Sequence, residues 1–128
     1  MSLDSKEFGM RLKWQQRVTL KDAADHVLCL FDSPFHAFPG KNPRILILFT
    51  LNYEVAAWGS FTCEPFFEHG SILNSSTQPG TRFITINSSL RSGGALWFEE
   101  YLISPRKIEK LGEGPRYPVK PEQQSGTK

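Results

Sequence analysis

Residues 8–31 read FGMRLKWQQRVTLKDAADHVLCLF, and this stretch decides the fold that the sequence predicts. From Phe8 to Val18 apolar and polar residues alternate, which is typical of a half-buried strand. Thr19 then stands where a helix N-cap belongs, with Asp22 three residues later in an approximate capping box. Apolar residues follow at the spacing of one helix face, namely Leu20, Ala23, Ala24, Val27, Leu28 and Phe31. The sequence therefore predicts a strand and then an amphipathic helix, which ends near Pro34.

The polar side of the predicted first strand is cationic. Period two places Arg11, Lys13 and Arg17 on one face of the strand. Such charges keep an exposed edge strand from aggregating, and they also suit contact with an anionic surface. Both interpretations remain open at this point.

The rest of the sequence predicts further strands and one short helix. A mostly apolar stretch is typical of a central strand, and Ser71–Gly80 is predicted to be an exposed loop. The predicted strands are Arg44–Val55, about Trp58–Phe67, Arg82–Leu90 and Ala95–Ile103, the last two joined by a hairpin turn at residues 92–94. Ser104-Pro105 favours the start of a short helix that runs to Leu111. The predicted fold class is α+β, with a mainly antiparallel sheet, a main helix after the first strand and a short C-terminal helix.

The length of 128 residues suits one domain. We expect the domain to span residues 1–112, followed by a Pro-rich, basic tail at 113–128. The formal net charge is only +2, but residues 104–128 contain six basic and three acidic residues. This asymmetry favours weak contact with lipid headgroups, RNA or an acidic protein.

Neither a membrane span nor a secretion signal is predicted. The longest uncharged apolar run, Ile45–Tyr53, is much shorter than the roughly 20 residues that cross a bilayer as a helix. Residues 1–7 lack the basic and apolar regions of a signal peptide. The 2 cysteines are too few for a disulfide scaffold, so we expect a reducing compartment.

Motifs for catalysis, metals and cofactors are missing. The sequence has no phosphate-binding Gly-rich loop, zinc ribbon or serine elbow. His26, Cys29, Cys63 and His69 are residue types that bind zinc, but their separations match no common site. The two cysteines also lack an evident general base. We therefore expect a protein that is not an enzyme and that holds no metal or cofactor.

Two weaker signals point to other binding functions. Trp97 and Tyr101 lie on one face of a predicted strand and are candidates for stacking with single-stranded nucleic acid. Residues 114–122, GPRYPVKPE, have the PxxP spacing that SH3-like grooves accept. A core role for the aromatic residues and a chance match for the proline spacing are the simpler interpretations.

Several segments of the sequence together resemble rhabdovirus matrix proteins. The basic strand Gly9–Trp14 and the segment Thr19–Val27 are similar to the first strand and helix of that family. The turn Gly40-Lys-Asn-Pro43 precedes a hydrophobic strand, and Ser88–Ile103 looks like the hairpin that closes the family's sheet. The lysine-rich N-terminal arm and the PPxY motif of the family are missing here.

The resemblance implies a non-enzymatic structural protein of the virion inner face and host cytoplasm. Such a protein binds an anionic membrane, self-associates and contacts the viral nucleoprotein or RNA. The candidate membrane or partner contacts are Arg11, Lys13, Arg17, Arg106, Lys107 and Lys110, and the candidate self-association residues are Asn74, Ser75, Ser76 and Pro79. The alternatives are a small RNA- or single-strand-binding module and an adaptor that acts through its Pro-rich tail.

Overall fold

The computed structural model describes residues 11–21, 23–32, 42–63, 66–74, 80–88 and 96–115, without the side chains of residues 42, 43 and 63. Eight strands account for most of these residues: β1 (Arg11–Val18), β2 (His26–Asp32), β3 (Asn42–Thr50), β4 (Val55–Cys63), β5 (Phe66–Asn74), β6 (Thr81–Ser88), β7 (Leu96–Ser104) and β8 (Lys107–Gly114). Helices are missing from all of the described ranges. The predicted α+β class is therefore wrong for this part of the chain, which is all-β.

The strands form two antiparallel sheets of four strands each. In both sheets the strands lie side by side in chain order, β1-β2-β3-β4 in the first and β5-β6-β7-β8 in the second. The edge strands meet in pairs, because β1 contacts β5 and β4 contacts β8. The chain is thus a β-sandwich of two meanders, with the core between the sheets.

The predicted main helix is replaced by a connection and a strand. After Val18 the chain turns, with the Ala23 amide donating to the Leu20 carbonyl at 3.3 Å, and β2 then runs from His26 to Asp32. The helix prediction failed because residues 27–31 are five consecutive apolar residues. Such a run fits the apolar spacing of a helix and that of a strand equally well. In β2 both faces are buried, as in a central strand between two others.

The predicted C-terminal helix is also wrong. Ser104 pairs with Lys107 across a hairpin whose turn is Pro105 and Arg106, and the Ser104 hydroxyl donates to the Lys107 carbonyl at 3.0 Å. Ser-Pro begins turns as well as helices, because proline fixes the backbone angle that both require. The chain then continues as β8 to Gly114, beyond the predicted domain boundary at residue 112.

The other predicted strands are present in the structure, but they begin and end at different residues. The central strand ends at Thr50, where the chain reverses into β4. The single strand expected at residues 58–67 is divided between β4 and β5, and β5 includes Ser71–Asn74, which were expected in a loop. β6 and β7 match the expected hairpin strands, whereas the turn at 92–94 and the tail beyond residue 115 lie outside the described residues.

The core is built from the two facing sheets. Leucines of the first sheet pack with larger side chains of the second, the fully buried members being Leu28, Leu30, Leu46, Leu48 and Phe83 and Tyr101. Trp14 of β1 stacks on Phe83 with ring centroids 4.6 Å apart, and Phe61 of β4 meets Tyr101 edge-on at 4.9 Å. These contacts join the two edge strands of the first sheet to the interior.

Candidate binding surface

The three cations of β1 are exposed, but they do not form a row. The pairing of β1 with β2 shifts between Leu12 and Trp14, so Lys13 is the extra residue of a β-bulge. Arg11 is opposite Asp32, whose carboxylate points into the sandwich, whereas Arg17 is opposite Val27 on the outer face. The expected alternation fails because a bulge reverses the faces of all residues beyond it.

The other three predicted cations occupy two environments. Arg106 lies in the exposed turn between β7 and β8, and Lys107 begins β8 with its ammonium 3.5 Å from the Glu109 carboxylate. Lys110 is engaged internally, since its ammonium lies 3.0 Å from Glu99 and also contacts Glu113. Burial alone would lower the pKa of Lys110, but the two carboxylates raise it above its ordinary value. Lys110 is therefore not a docking cation.

The predicted self-association residues are only partly described. Asn74 ends β5, and its side-chain oxygen accepts a hydrogen bond from the Thr81 hydroxyl at 2.8 Å. Ser75, Ser76 and Pro79 lie outside the described residues. Asn74 thus has a local role in joining the ends of β5 and β6.

Of the two predicted stacking residues, Tyr101 is not available to a nucleic acid base. Tyr101 is fully buried between Phe61 and Phe83 in the core. Trp97 is half-buried, and its indole N–H donates to the Glu113 carboxylate at 3.1 Å. A stacking platform needs an exposed ring face, so the structure does not favour the nucleic acid alternative.

Two of the four residues considered for zinc, His26 and His69, lie on different sheets. His26 lies at the start of β2, where its ring contacts the Ala24 carbonyl at 2.6 Å, and His69 is on β5 of the other sheet. Across the described part of the chain, no group of three or more His, Cys, Asp or Glu residues is placed to hold a metal. Burial raises the pKa of the Cys29 thiol, which keeps it protonated and poorly nucleophilic.

Sequence reasoning missed a buried ionic cluster between the sheets. Arg44 of β3 donates to Glu99 at 2.6 Å and to Asn87 at 2.9 Å, both on the second sheet. Its other terminal nitrogen lies 3.3 Å from Asp32 of β2. Thr85 adds a hydrogen bond to Glu99 at 2.8 Å, and the side chains of Arg44 and Glu99 are 0% exposed. A single cation thus connects both sheets in the interior.

The charges of this cluster are paired with one another. Burial raises the pKa of Glu99, but the positive charges of Arg44 and Lys110 and the hydrogen bonds from Thr85 and Lys110 outweigh this effect, so the pKa lies below its ordinary value. Two cations, Arg44 and Lys110, therefore face the carboxylates of Asp32, Glu99 and Glu113, and each cation contacts two of them. Charges that are already paired with one another suit structural cross-linking better than capture of a charged ligand. The sequence signal for it was an arginine at the start of an otherwise apolar strand.

The turn between β3 and β4 is the second feature that sequence reasoning missed. Tyr53 is 85% exposed and has a φ of 67°, a left-handed conformation that is rare for a bulky side chain. The turn is held by Thr50, whose hydroxyl accepts from the amides of Asn52 at 3.2 Å and Glu54 at 3.1 Å. The Tyr53 amide also donates to the Thr50 carbonyl at 2.9 Å. The exposed ring is thus held on a well-defined backbone, beside Leu51, which is 44% exposed.

The turn between β3 and β4 and the turn between β7 and β8 lie at the same end of the sandwich, which we call the turn end. In the first sheet it contains the residue 19–25 connection and Leu51–Glu54, since Val18, His26 and Thr50 are aligned there. The Thr81 hydroxyl lies 3.5 Å from the Thr19 carbonyl, and Thr81 pairs with Ile103 just before the β7–β8 turn. The turn end therefore combines exposed apolar residues with charged ones. The cations are Arg17, Lys21, Arg106 and Lys107, and the carboxylates are Asp25, Glu54 and Glu109.

Comparisons with protein-family models, curated proteins and solved structures found no match. The described ranges contain no helix that is long and apolar enough to cross a membrane.

Proposed function

We propose that this protein is a peripheral, non-catalytic domain that docks on anionic membrane surfaces through its turn end. The observation that carries the proposal is the exposed ring of Tyr53 on a rigid turn, beside Leu51 and on the same end as Arg106 and Lys107. Tyrosine suits the boundary between headgroups and acyl chains, because its ring is apolar and its hydroxyl is polar. The hydrogen bonds of the turn hold this ring outward, which lowers the cost of ordering the loop on binding.

The charges at the turn end support contact with anionic lipid but do not dominate it. Each basic residue near an anionic leaflet contributes about 1 kcal/mol of binding free energy. Asp25 pairs with Arg17 at 3.0 Å, and Glu109 pairs with Lys107, so part of the positive charge is offset. Apolar contact by Leu51 and Tyr53 must then provide much of the affinity, and the charges favour anionic over neutral lipid.

The broader role is a structural protein that lines a membrane, self-associates and contacts a nucleocapsid. That part of the proposal rests on the resemblance to rhabdovirus matrix proteins, now without the strand–helix element that supported it. The adaptor alternative rests on the tail at residues 113–128, of which residues 116–128 lie outside the described residues. Membrane docking is the part that the exposed turn end supports best.

A matched pair of double variants tests the docking surface. In Arg106→Gln/Lys107→Gln two charges are removed at the turn end, and in Arg11→Gln/Lys13→Gln two are removed from the half of β1 that lies away from it. Co-sedimentation with phosphatidylcholine–phosphatidylserine vesicles at low salt should show roughly 30-fold weaker binding for the first variant, corresponding to about 2 kcal/mol. The second variant should bind nearly as well as the wild type.

Neutral vesicles provide the control for charge. Binding should be much weaker to phosphatidylcholine alone, and high salt should reduce binding to the anionic vesicles because it screens exposed charges. Equal losses in the two double variants would mean that overall charge, not the turn end, governs binding. Wild-type protein that fails to sediment with anionic vesicles would refute membrane docking.

A further inference from the structure

The sequence contains two matches to the N-glycosylation signal Asn-x-Ser/Thr, and the fold places their asparagines in opposite environments. The matches are residues Asn74–Ser76, which begin at the end of β5, and Asn87–Ser89, which begin near the end of β6. A glycan is bulky and polar, so a folded protein can carry one only at its surface. The environment of each asparagine therefore decides whether this fold is compatible with a glycan there.

Asn74 is compatible with a glycan because it is exposed at the end of its strand. Its side-chain oxygen accepts the hydrogen bond from the Thr81 hydroxyl at 2.8 Å. A glycan is attached through the side-chain nitrogen, so modification of Asn74 leaves this hydrogen bond intact. The fold therefore tolerates a sugar at the first signal.

Asn87 is incompatible with a glycan because it is 0% exposed and its whole amide is engaged inside the sandwich. Its oxygen accepts a hydrogen bond from Arg44 at 2.9 Å. Its nitrogen donates to the Thr85 hydroxyl at 2.9 Å and to the Trp97 carbonyl at 3.0 Å. An asparagine amide has two protons, one for each of these acceptors, and glycosylation replaces one of them. A glycan on Asn87 would thus break a buried hydrogen bond and force sugar rings into a close-packed interior.

Burial in the folded protein does not protect Asn87 while the chain is still unfolded. The glycosyl transferase binds its signal in a flexible segment, so glycans are added before folding is complete. The asparagine nitrogen forms a bond to the anomeric carbon of a lipid-linked oligosaccharide. The bond from that carbon to the diphosphate breaks, the lipid diphosphate leaves with the electron pair, and the nitrogen releases one proton to a base. A chain modified in this way at Asn87 could not form the interior around Arg44.

We infer that this chain folds in a compartment that does not N-glycosylate proteins. The buried cluster around Arg44 requires an unmodified Asn87 amide, and the signal at Asn87 would cause that amide to be modified in a glycosylating compartment. A second step rests on the membrane docking proposed above. With that docking, the leaflet that the turn end meets faces the cytosol, where anionic lipids are concentrated.

Two substitutions each remove one signal without changing either asparagine. Ser76→Ala removes the signal at Asn74 and Ser89→Ala removes the signal at Asn87, because the signal needs a hydroxyl two residues after the asparagine. The wild type and both variants are directed into the secretory pathway of cultured animal cells by an added leader, and mass spectrometry locates the glycans. Expression in the bacterial cytosol, where this modification does not occur, is the control and should give equal yields of folded protein.

Ser89→Ala should be secreted in several-fold larger amounts than the wild type, with a glycan on Asn74 alone. Ser76→Ala should be secreted as poorly as the wild type, because Asn87 is still modified. Equal secretion of the wild type and Ser89→Ala would overturn the inference. Folded wild-type protein that carries a glycan on Asn87 would overturn it as well. These measurements use no vesicles, so their failure is distinct from a failure of membrane docking.

Discussion

Tyr53 shows how one side chain can be exposed without being loosely held. Among the described residues it is the only non-glycine with a positive φ, and two backbone amides beside it are bound by the Thr50 hydroxyl. A left-handed conformation costs an L-residue about 1–2 kcal/mol. Because the ring is 85% exposed, little core packing offsets that cost. A tyrosine at this position lowers the stability of the turn, which is consistent with a functional role.

Replacement of Tyr53 by asparagine should therefore stabilise the fold. Asparagine adopts the left-handed conformation more readily, so we expect the free energy of unfolding to rise by about 1 kcal/mol in urea titrations. Tyr53→Phe keeps both the ring and the strain, and should leave stability unchanged. The same Tyr53→Asn protein should bind anionic vesicles less well. A loss of stability in Tyr53→Asn would show that the ring packs against the fold.

At the level of secondary-structure elements, several strands were predicted correctly from the sequence, but one strand was mistaken for a helix. β3, β6 and β7 were expected because they are rich in β-formers and bounded by turn residues. β2 was missed because a strand buried on both faces loses its alternation, which is the property that distinguishes it from a helix. The bulge in β1 was also missed, since no local residue pattern marked Lys13 as the extra residue.

β5 depends on a close approach that only glycine permits. A Cβ atom added to Gly70 would lie 2.6 Å from Phe83 Cε1 and 3.2 Å from Trp14 Cε2. These two rings stack on each other, and Phe83 is fully buried, so neither ring can move away easily. Gly70 therefore sets the distance between β5 and the aromatic core.

Gly70→Ala should destabilise the protein by about 1–3 kcal/mol through overpacking. Gly112→Ala in β8 is the control, because its added Cβ would meet nothing within 4 Å. That variant should be neutral or slightly stabilising, since alanine loses less backbone entropy on folding than glycine. Thermal unfolding of the two variants side by side gives the comparison. Equal midpoints would contradict the role of Gly70.

For the whole molecule, the Arg44 cluster fixes how the two sheets face each other. Arg44 and Asp32 belong to the first sheet, whereas Asn87 and Glu99 belong to the second. The sequence shows each of these residues as a polar position in a strand, but their convergence depends on strand order and register. Neither can be read from local patterns, and for the same reason the turn end was not predicted as a surface.

Glu99→Gln should destabilise the fold by about 3–5 kcal/mol at neutral pH, because it removes the buried carboxylate that Arg44 and Lys110 share. The exposed Glu109→Gln should cost less than about 1 kcal/mol. Equal unfolding midpoints of these two variants in urea would contradict a structural role for the cluster.

Acid titration of the wild type gives an independent measurement. The pKa of Glu99 is lower in the folded chain than in the unfolded chain, so its stabilisation is present above the unfolded pKa and lost as the pH falls through the folded pKa. The urea midpoint should thus fall in that acidic window. A midpoint that does not change there would argue against the ionised state of Glu99.

The bulge at Lys13 also affects how separate molecules meet at high concentration. A regular outer strand offers a straight ladder of free peptide groups, onto which a foreign strand can dock and start a cross-β fibril. In β1 the extra residue, Lys13, interrupts that ladder and adds an exposed positive charge to the strand. The same residue that interrupts the pleat should therefore disfavour growth of a fibril from this strand.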